Sequence, residues 1–332
     1  MPRPLNIPVI FGPTASGKSR LAVEIAKKFD GVVINADSMQ IYNNLHILTA
    51  RPTFQDMQNI PHFLYGICDA RRPTSAGKWV QLCQQAINQA ENDKKMPIIC
   101  GGTGLYLKAL MQGLSPLPDI PDDIRNTIRD KFKNTPSSDL HDLLMKTDKI
   151  WANAIKKDDR QRILRGLEVY EYCRKPLSHF QTLPLIPPPP HYRFLPILLN
   201  PPRDYLHKKA EARFDEMCKL GAVEEVAHCL QQNLPSSLPI MRAIGVAELA
   251  SYLKGNSSLT DAITHAKTAT RRYIKRQCTW AKNSWQGGLN GDADGNLDNN
   301  KSASHPHLHI NDKILENAYR QSCDFIAHSI NI

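Results

Sequence analysis

Ile7-Pro-Val-Ile-Phe11-Gly12-Pro-Thr-Ala-Ser-Gly17-Lys18-Ser19 is the stretch from which the fold of this chain can be read. Its first five residues are an apolar run bounded by a glycine, the pattern of a buried strand. Gly12 to Ser19 then matches G-x-x-x-x-G-K-[ST], the phosphate-binding P-loop. Its glycines let the backbone curl so that amide N–H groups converge on phosphate oxygens, and the N-terminus of the next helix adds its dipole. Lys18 to Lys28 supplies that helix, with Leu21, Ala22, Ile25 and Ala26 on one face. Within the loop, Lys18 brings charge to a terminal phosphate and Ser19 is a candidate Mg²⁺ ligand. Chance alone places this pattern in roughly one chain in a hundred of this length, and here strand and helix flank it correctly.

Working outward, apolar runs at Val32 to Ala36, Pro97 to Cys100 and Phe194 to Leu199 read as further strands. Helical patterns at Trp79 to Asn92 and from about Leu105 alternate with them. The expected fold class is therefore α/β: a P-loop parallel sheet core flanked by helices. Between Pro116 and about Arg174 the pattern is polar and helical with no convincing strand, and a proline tract (Pro184, Pro187 to Pro190) follows. An inserted all-helical domain fits this better than a separate C-terminal one. The expected organisation is a first core part over 1–115, a helical insertion over 116–183, a second core part over 184–285 and a tail over 286–332. From Gln286 to Ser304 the tail is rich in Gly, Asn, Asp and Ser, so it reads as disordered or loosely attached, with a short helix at Asp312 to Ser329.

The 332 residues suffice for a substantial core, and the 41% hydrophobic and 22% charged shares are those of a globular protein. No apolar run approaches the ~20 residues of a membrane span. Eight cysteines occur without a C-x-x-C pair or zinc spacing, which speaks against a disulfide framework or metal cluster and for the cytoplasm. A net charge of +10 favours a polyanionic partner. Six Lys or Arg residues (Lys267, Arg271, Arg272, Lys275, Arg276, Lys282) lie between Ala262 and Trp285 without an acid, and Lys156 to Lys175 is a second, more diluted basic stretch. Either alone is an ordinary solvated face; beside a phosphate site the two lean towards nucleic acid.

Val32-Val-Ile-Asn-Ala-Asp37 ends in a carboxylate, whereas the other strand ends in Cys100-Gly-Gly-Thr103-Gly-Leu-Tyr106 without one. Asp37 has three readings from these residues: holder of Mg²⁺-bound water, general base, or helix N-cap ahead of Met39 to Tyr42.

Eight motifs then occur in order: Gly12 to Ser19, Ala36-Asp-Ser-Met-Gln40-Ile-Tyr42, Thr49-Ala-Arg-Pro52, Gly101-Gly-Thr-Gly-Leu-Tyr106, Gln161-Arg-Ile-Leu-Arg165, Leu167-Glu-Val-Tyr170, Met241-Arg-Ala-Ile-Gly245 and Arg276-Gln-Cys-Thr-Trp280. The set resembles the bacterial tRNA dimethylallyltransferase (tRNA isopentenyltransferase) family and covers Pro8 to Trp285. The resemblance implies that Gly12, Pro13, Thr14, Ala15, Ser16, Gly17, Lys18 and Ser19 hold the diphosphate of dimethylallyl diphosphate with Mg²⁺, and that Arg242 reaches it. It makes Asp37 the base for the exocyclic N6 amine of the adenosine immediately 3′ of the anticodon, with Thr103 beside the reacting base. It implies contacts from Asp37, Ser38, Met39 and Gln40, from Arg125, and from Gln161, Arg162, Ile163, Leu164 and Arg165 to the tRNA anticodon stem-loop. The helical insertion would clamp that stem-loop, with no obligate protein partner and a monomer as the default.

Three departures stand out. The family's usual Gly-Thr-Ala-Lys-Pro is Leu48-Thr-Ala-Arg-Pro52 here, Tyr-Arg-Gln is Val246-Ala-Glu248, and His-Pro-Asn-Asp is represented by Ile155-Lys-Lys-Asp-Asp159. A small-metabolite kinase would explain the loop and Asp37 but not the basic helices. A nucleotide switch on RNA would explain both without prenyl chemistry.

Overall fold

Among the described residues six parallel strands lie in the order β3-β2-β4-β1-β5-β6, and the loop proposed above for phosphate follows the C-terminal end of β1. The structure, a computed structural model, describes residues 4–285, 308–311 and 315–330. The strands are β1 Leu5–Phe11, β2 Gly31–Asn35, β3 His62–Phe63, β4 Met96–Gly101, β5 Tyr192–Leu199 and β6 Leu308–Ile310. β1 is central, pairing Phe11 with Gly101 of β4 on one side and with Leu198 of β5 on the other. From β1 the chain runs towards β2, and after β4 it crosses to β5. Adjacent strands whose chains depart in opposite directions open a crevice at their C-terminal ends, where α/β proteins bind ligands.

Helices α1 Lys18–Lys28, α2 Phe54–Met57, α3 Ala76–Asn92 and α4 Gly104–Gln112 belong to the first part of the sheet unit. α1 buries Leu21, Ala22, Ile25 and Ala26 against Ile10, Val33, Ile98, Cys100 and Ile197. It ends at Phe29, with Lys27 and Lys28 in the last turn complementing the carbonyl end of its dipole. Trp79 on α3 is fully buried, donates from Nε1 to Asn35 O (3.0 Å) and stacks on Tyr106 of α4 at 4.6 Å.

The chain divides into two compact units, Met1–Met111 with Pro189–Ile332, and Gln112–Pro188. The second holds α5 Asp122–Lys131, α6 Ser137–Thr147, α7 Lys149–Ala154, α8 Arg160–Cys173 and α9 Leu177–Gln181. Its core is Leu140, Leu144, Ala152, Ile163 and Leu167, with a second cluster of Ile120, Val169, Leu177 and Phe180. Asp148 is buried there without penalty because its oxygens accept from Trp151 N, Ser178 N and Ser178 Oγ at 3.0, 2.9 and 2.7 Å. Leu114 and Ile186 exchange backbone hydrogen bonds, which gathers residues on both sides of the expected 116–183 limits into this unit.

After β5 come α10 Arg203–Lys219, α11 Ala222–Gln231, α12 Val246–Leu253, α13 Leu259–Trp280 and α14 Leu315–Ile330. The expectation of a disordered or loosely attached tail fails for 308–311 and 315–330. β6 extends the sheet beside β5, Asn200 N donates to Ile310 O (2.8 Å), and Ile310, Cys323 and Ile326 are fully buried. The physical reason is that α14 alternates Ala318, Ser322, Cys323 and Ile326 at helical spacing and covers the apolar face that α1 leaves open. Residues 286–307 and 312–314, where the polar part of that expectation falls, lie outside the described residues.

Candidate active site

The loop between β1 and α1 is shaped by two glycines. A Cβ on Gly12 would meet Ser16 Oγ at 2.5 Å and Leu199 O at 2.9 Å, so only hydrogen fits there. Gly17 has φ 89°, the left-handed conformation that turns the chain into α1. Ser16 N donates to Pro13 O at 3.2 Å, and Ser16 Oγ, buried and facing Gly12, has no hydrogen-bond partner among the described residues. An orphaned hydroxyl inside such a loop is suited to an anionic oxygen. Lys18 Nζ lies 3.3 Å from Pro13 O. Burial pushes the Lys18 ammonium down, while Cys100 and Asp37 oppose that and Arg213 adds to it. Ser19 is exposed in the first turn of α1. Its hydroxyl and Lys18 lower the Cys100 thiol, but burial dominates and raises it to about 11, so Cys100 stays protonated and is no nucleophile.

Asp37 follows β2, held by a residue that sequence reasoning passed over. Asn35 is fully buried; its Oδ1 accepts from Asp37 N (2.8 Å), and its Nδ2 donates to Asp37 O (3.1 Å) and Leu64 O (3.0 Å). The signal was an amide ending an otherwise apolar strand. Asp37 Oδ1 accepts from Met39 N at 2.9 Å, capping a turn rather than a helix, and Oδ2 takes no hydrogen bond among the described residues. Thr103 Oγ1 accepts from Ser38 N (2.9 Å) and donates to Ser38 Oγ (3.3 Å), bringing the β4 loop onto the same turn. Burial raises the phenols of Tyr65, Tyr106 and Tyr273, and the Asp37 charge contributes to each, so the carboxylate faces protonated aromatic rings.

Arg213 on α10 donates to Thr14 Oγ1. Burial lowers its guanidinium and Asp37 opposes that. Nothing in the sequence marked it, because α10 is a long polar helix in which an arginine is unremarkable. Lys18 and Arg213 thus flank the loop as two cations, with Asp37 within electrostatic range of both. Arg242 ends a 3₁₀ turn, Pro239–Arg242, with its side chain accessible. Its neighbour Glu248 accepts from Gly245 N (3.0 Å), so the departure at Val246 to Glu248 supplies a helix cap.

The departure at Leu48 to Pro52 is structural too. Arg51 lies against Gly66, where a Cβ would come within 2.0 Å of Nη1, and donates to Tyr42 O (3.1 Å). Leu48 packs on Gly245, and the carboxylate of Glu225 accepts from His46, Ile47 and Leu48 N at 2.5, 2.8 and 2.9 Å. Gln40 Nε2 donates to Thr49 O and Ala50 O (2.8 and 3.0 Å), leaving its carbonyl as the group free to meet a ligand. Ser38 and Met39 are half-buried beside it.

In the helical unit, Gln161 and Arg162 are exposed and Arg165 half-buried on one side of α8. Arg162 pairs with Asp159 (3.4 Å) and Arg165 with Glu168 (3.6 Å), which also binds Arg129 (2.9 Å). Burial lowers Arg165 and Glu168 counters it. Ile163 is fully buried, so its side chain faces the core of this unit, whereas Leu164 is half-buried and packs on the same core with part of its side chain accessible. Arg125 is tied to Asp119 (3.0 Å) and Asp122 (3.4 Å), with Nε buried and unpartnered among the described residues.

No group of three or more His, Cys, Asp or Glu placed to hold a metal occurs among the described residues, and no helix among them is long and apolar enough to cross a membrane. The IPP transferase family model matches residues 40–284, beginning just after Asp37. The chain is 44% identical to a tRNA dimethylallyltransferase of Chelativorans sp. (strain BNC1) over 82% of this chain and 93% of that one. It is 40% identical to a tRNA dimethylallyltransferase of Azorhizobium caulinodans over 89% and 95%. Among solved structures, a eukaryotic dimethylallyltransferase acting on tRNA superposes with TM-score 0.77 at 27% identity, over 98% of this chain and 80% of that one. A tRNA isopentenylpyrophosphate transferase of Bacillus halodurans gives 0.67 at 29% identity, over 98% and 97%.

Proposed function

The chain belongs to the IPP transferase family, and from that premise we propose how its own residues transfer a dimethylallyl group from dimethylallyl diphosphate to the N6 amine of the adenosine immediately 3′ of the tRNA anticodon. The observation that carries the assignment is the pairing of two cations and an orphaned loop hydroxyl (Lys18, Arg213, Ser16) with a carboxylate whose second oxygen is free (Asp37). The amine nitrogen attacks the allylic carbon; the N–C bond forms as the C–O bond to diphosphate breaks, and the bonding pair leaves with diphosphate. Lys18, Arg213 and the loop donors stabilise that leaving charge, which helps most because an aromatic amine is a weak nucleophile. Asp37 accepts the amine proton, so no cationic product persists. Tyr65 and Tyr273, kept protonated by burial and within electrostatic range of Asp37, would leave the carboxylate as the group that takes the proton.

Ser19 would hold Mg²⁺ together with diphosphate oxygens. The donor set fits, because this ion keeps its waters and takes few protein ligands. Bound there, Mg²⁺ would supply further charge neutralisation to the diphosphate. Thr103 would lie beside the reacting base and Arg242 would reach towards the diphosphate. Ser38, Met39 and Gln40 would meet the anticodon loop, as would Arg125, Gln161, Arg162 and Arg165. Splayed loop bases are recognised by such arginines and amides, and the reacting base must leave its stack. Eight unpaired cysteines support a reducing compartment, the cytoplasm.

The test is incubation with unmodified tRNA and dimethylallyl diphosphate, followed by nucleoside mass analysis. A gain of one dimethylallyl unit on adenosine is expected. Phosphoryl transfer from ATP to a metabolite with no nucleoside product would replace this reading by the kinase one.

A further inference from the structure

Gln277 joins the two loops of the site, and the proposed transfer assigns it no part. It lies in α13, is 5% exposed, and each end of its amide is used: Oε1 accepts from Thr14 N at 2.9 Å, and Nε2 donates to Gly102 O at 3.0 Å. The fit is close, since a Cβ on Gly102 would meet Gln277 Nε2 at 2.4 Å. Three residues on, Trp280 packs on Phe11 with ring centroids 4.8 Å apart and fills the space where a Cβ on Gly104 would lie, 2.2 Å from its ring. The end of α13 is thereby fixed against both β1 and the loop after β4.

The hydrogen bonds continue past Gly102. Thr103, the next residue, accepts from Ser38 N and donates to Ser38 Oγ, and its own N–H donates to Ala36 O (3.2 Å), so it grips both neighbours of Asp37. One amide thus ties the loop proposed to cradle the leaving diphosphate to the turn that carries the proposed base. We propose that Gln277 is a positioning residue, which holds the diphosphate cradle in register with Thr103 and Asp37 so that leaving group and amine meet in line. The proposal rests on the transferase reading above. It makes a distinct demand: Gln277 acts on the relation between two half-sites, not on affinity for either.

Gln277→Met keeps length and packing and removes both hydrogen bonds. In the full-length protein with tRNA and dimethylallyl diphosphate saturating, the single-turnover rate should fall about 10–100-fold, the cost of a sub-ångström misplacement. Affinity for inorganic diphosphate should stay within about threefold, because every other loop donor remains. A rate within threefold of wild type, or diphosphate affinity falling in parallel with the rate, overturns the proposal. If Gln277→Met does not fold, Gln277→Glu carries the test. A protonated carboxyl can accept from Thr14 N and donate to Gly102 O, whereas a carboxylate loses the donor and opposes the carbonyl. The ratio of variant to wild-type rate should then rise about tenfold as pH falls from about 8 to about 6; a flat ratio overturns it. Wild type run alongside separates the two readings. No product from wild type sinks the transferase assignment, while product from wild type with an indifferent Gln277 sinks only this inference.

Discussion

Asp37 spends Oδ1 on the Met39 amide and keeps Oδ2 free, which decides what its removal should do. Asp37→Asn retains the turn acceptor and loses the base, so turnover should drop roughly 10²–10⁴-fold. Diphosphate affinity should barely change, because Lys18, Arg213 and Ser16 are untouched. Titrating Mg²⁺ on the folded variant checks this; recovery of activity by excess metal would assign Asp37 to the metal shell instead. Arg213→Ala should do the reverse. It removes a charged donor at the loop, and about 1.5–3 kcal/mol of diphosphate binding with it, equivalent to a ~10–100-fold rise in the dissociation constant read by calorimetry. An unchanged constant would return Arg213 to a merely structural contact with Thr14. The P-loop and Asp37 were legible in the sequence because their chemistry dictates residue type and spacing. Asn35, Arg213 and Gln277 were not, since each acts on a partner distant in sequence: Gln277 meets Thr14 across 263 residues.

At the scale of the element, α13 shows why a count of basic residues misleads. Lys267 pairs with Asp215 (2.6 Å) and Arg271 with Glu211 (2.5 Å), both on α10, so two of the six cations hold helices together. Arg272 and Lys275 are exposed and form no ion pair among the described residues, and Arg276 lies over the Tyr273 ring at 5.5 Å. Positions 272, 275 and 276 share one helical face. Arg272→Ala or Lys275→Ala should therefore weaken tRNA binding and reduce the slope of log affinity against log salt by about one unit each. Lys267→Ala should leave the slope alone and loosen α10 from α13. Equal slopes for all three variants would make the exposed stripe an ordinary solvated face.

For the whole molecule, the C-terminal residues change from an appendage to part of the sheet. β6 gives β5 a parallel neighbour, Arg193 donates to Ser329 O (2.7 Å), and Lys28 at the end of α1 lies over Tyr319 at 6.0 Å. Because α1 carries Lys18 and Ser19, removing β6 and α14 strips the outer cover of the phosphate helix. Truncation before residue 305 should lower the melting temperature and expose the apolar face of α1, whereas Ile326→Ala should cost about 2–5 kcal/mol by denaturant titration. A truncated protein with unchanged melting and turnover would restore the reading of a loosely attached tail.

The sequence by itself determined the strand, loop and helix that bind phosphate, the alternation that makes the sheet parallel, and, through eight ordered motifs, the family. These follow from local rules: period, turn chemistry and the few residue types that can meet a phosphate. It did not determine the two-residue strand β3, the three-residue strand β6, or the partners of the basic residues on α13. Short strands carry too few side chains for a periodic signal and exist because a neighbour supplies their hydrogen bonds. Whether a lysine faces RNA or a carboxylate depends on which helix packs beside it. The same holds inside the site, where Arg213, Asn35 and Gln277 gain their roles only when the folded chain brings α10, β2 and α13 to the C-terminal ends of β1 and β4.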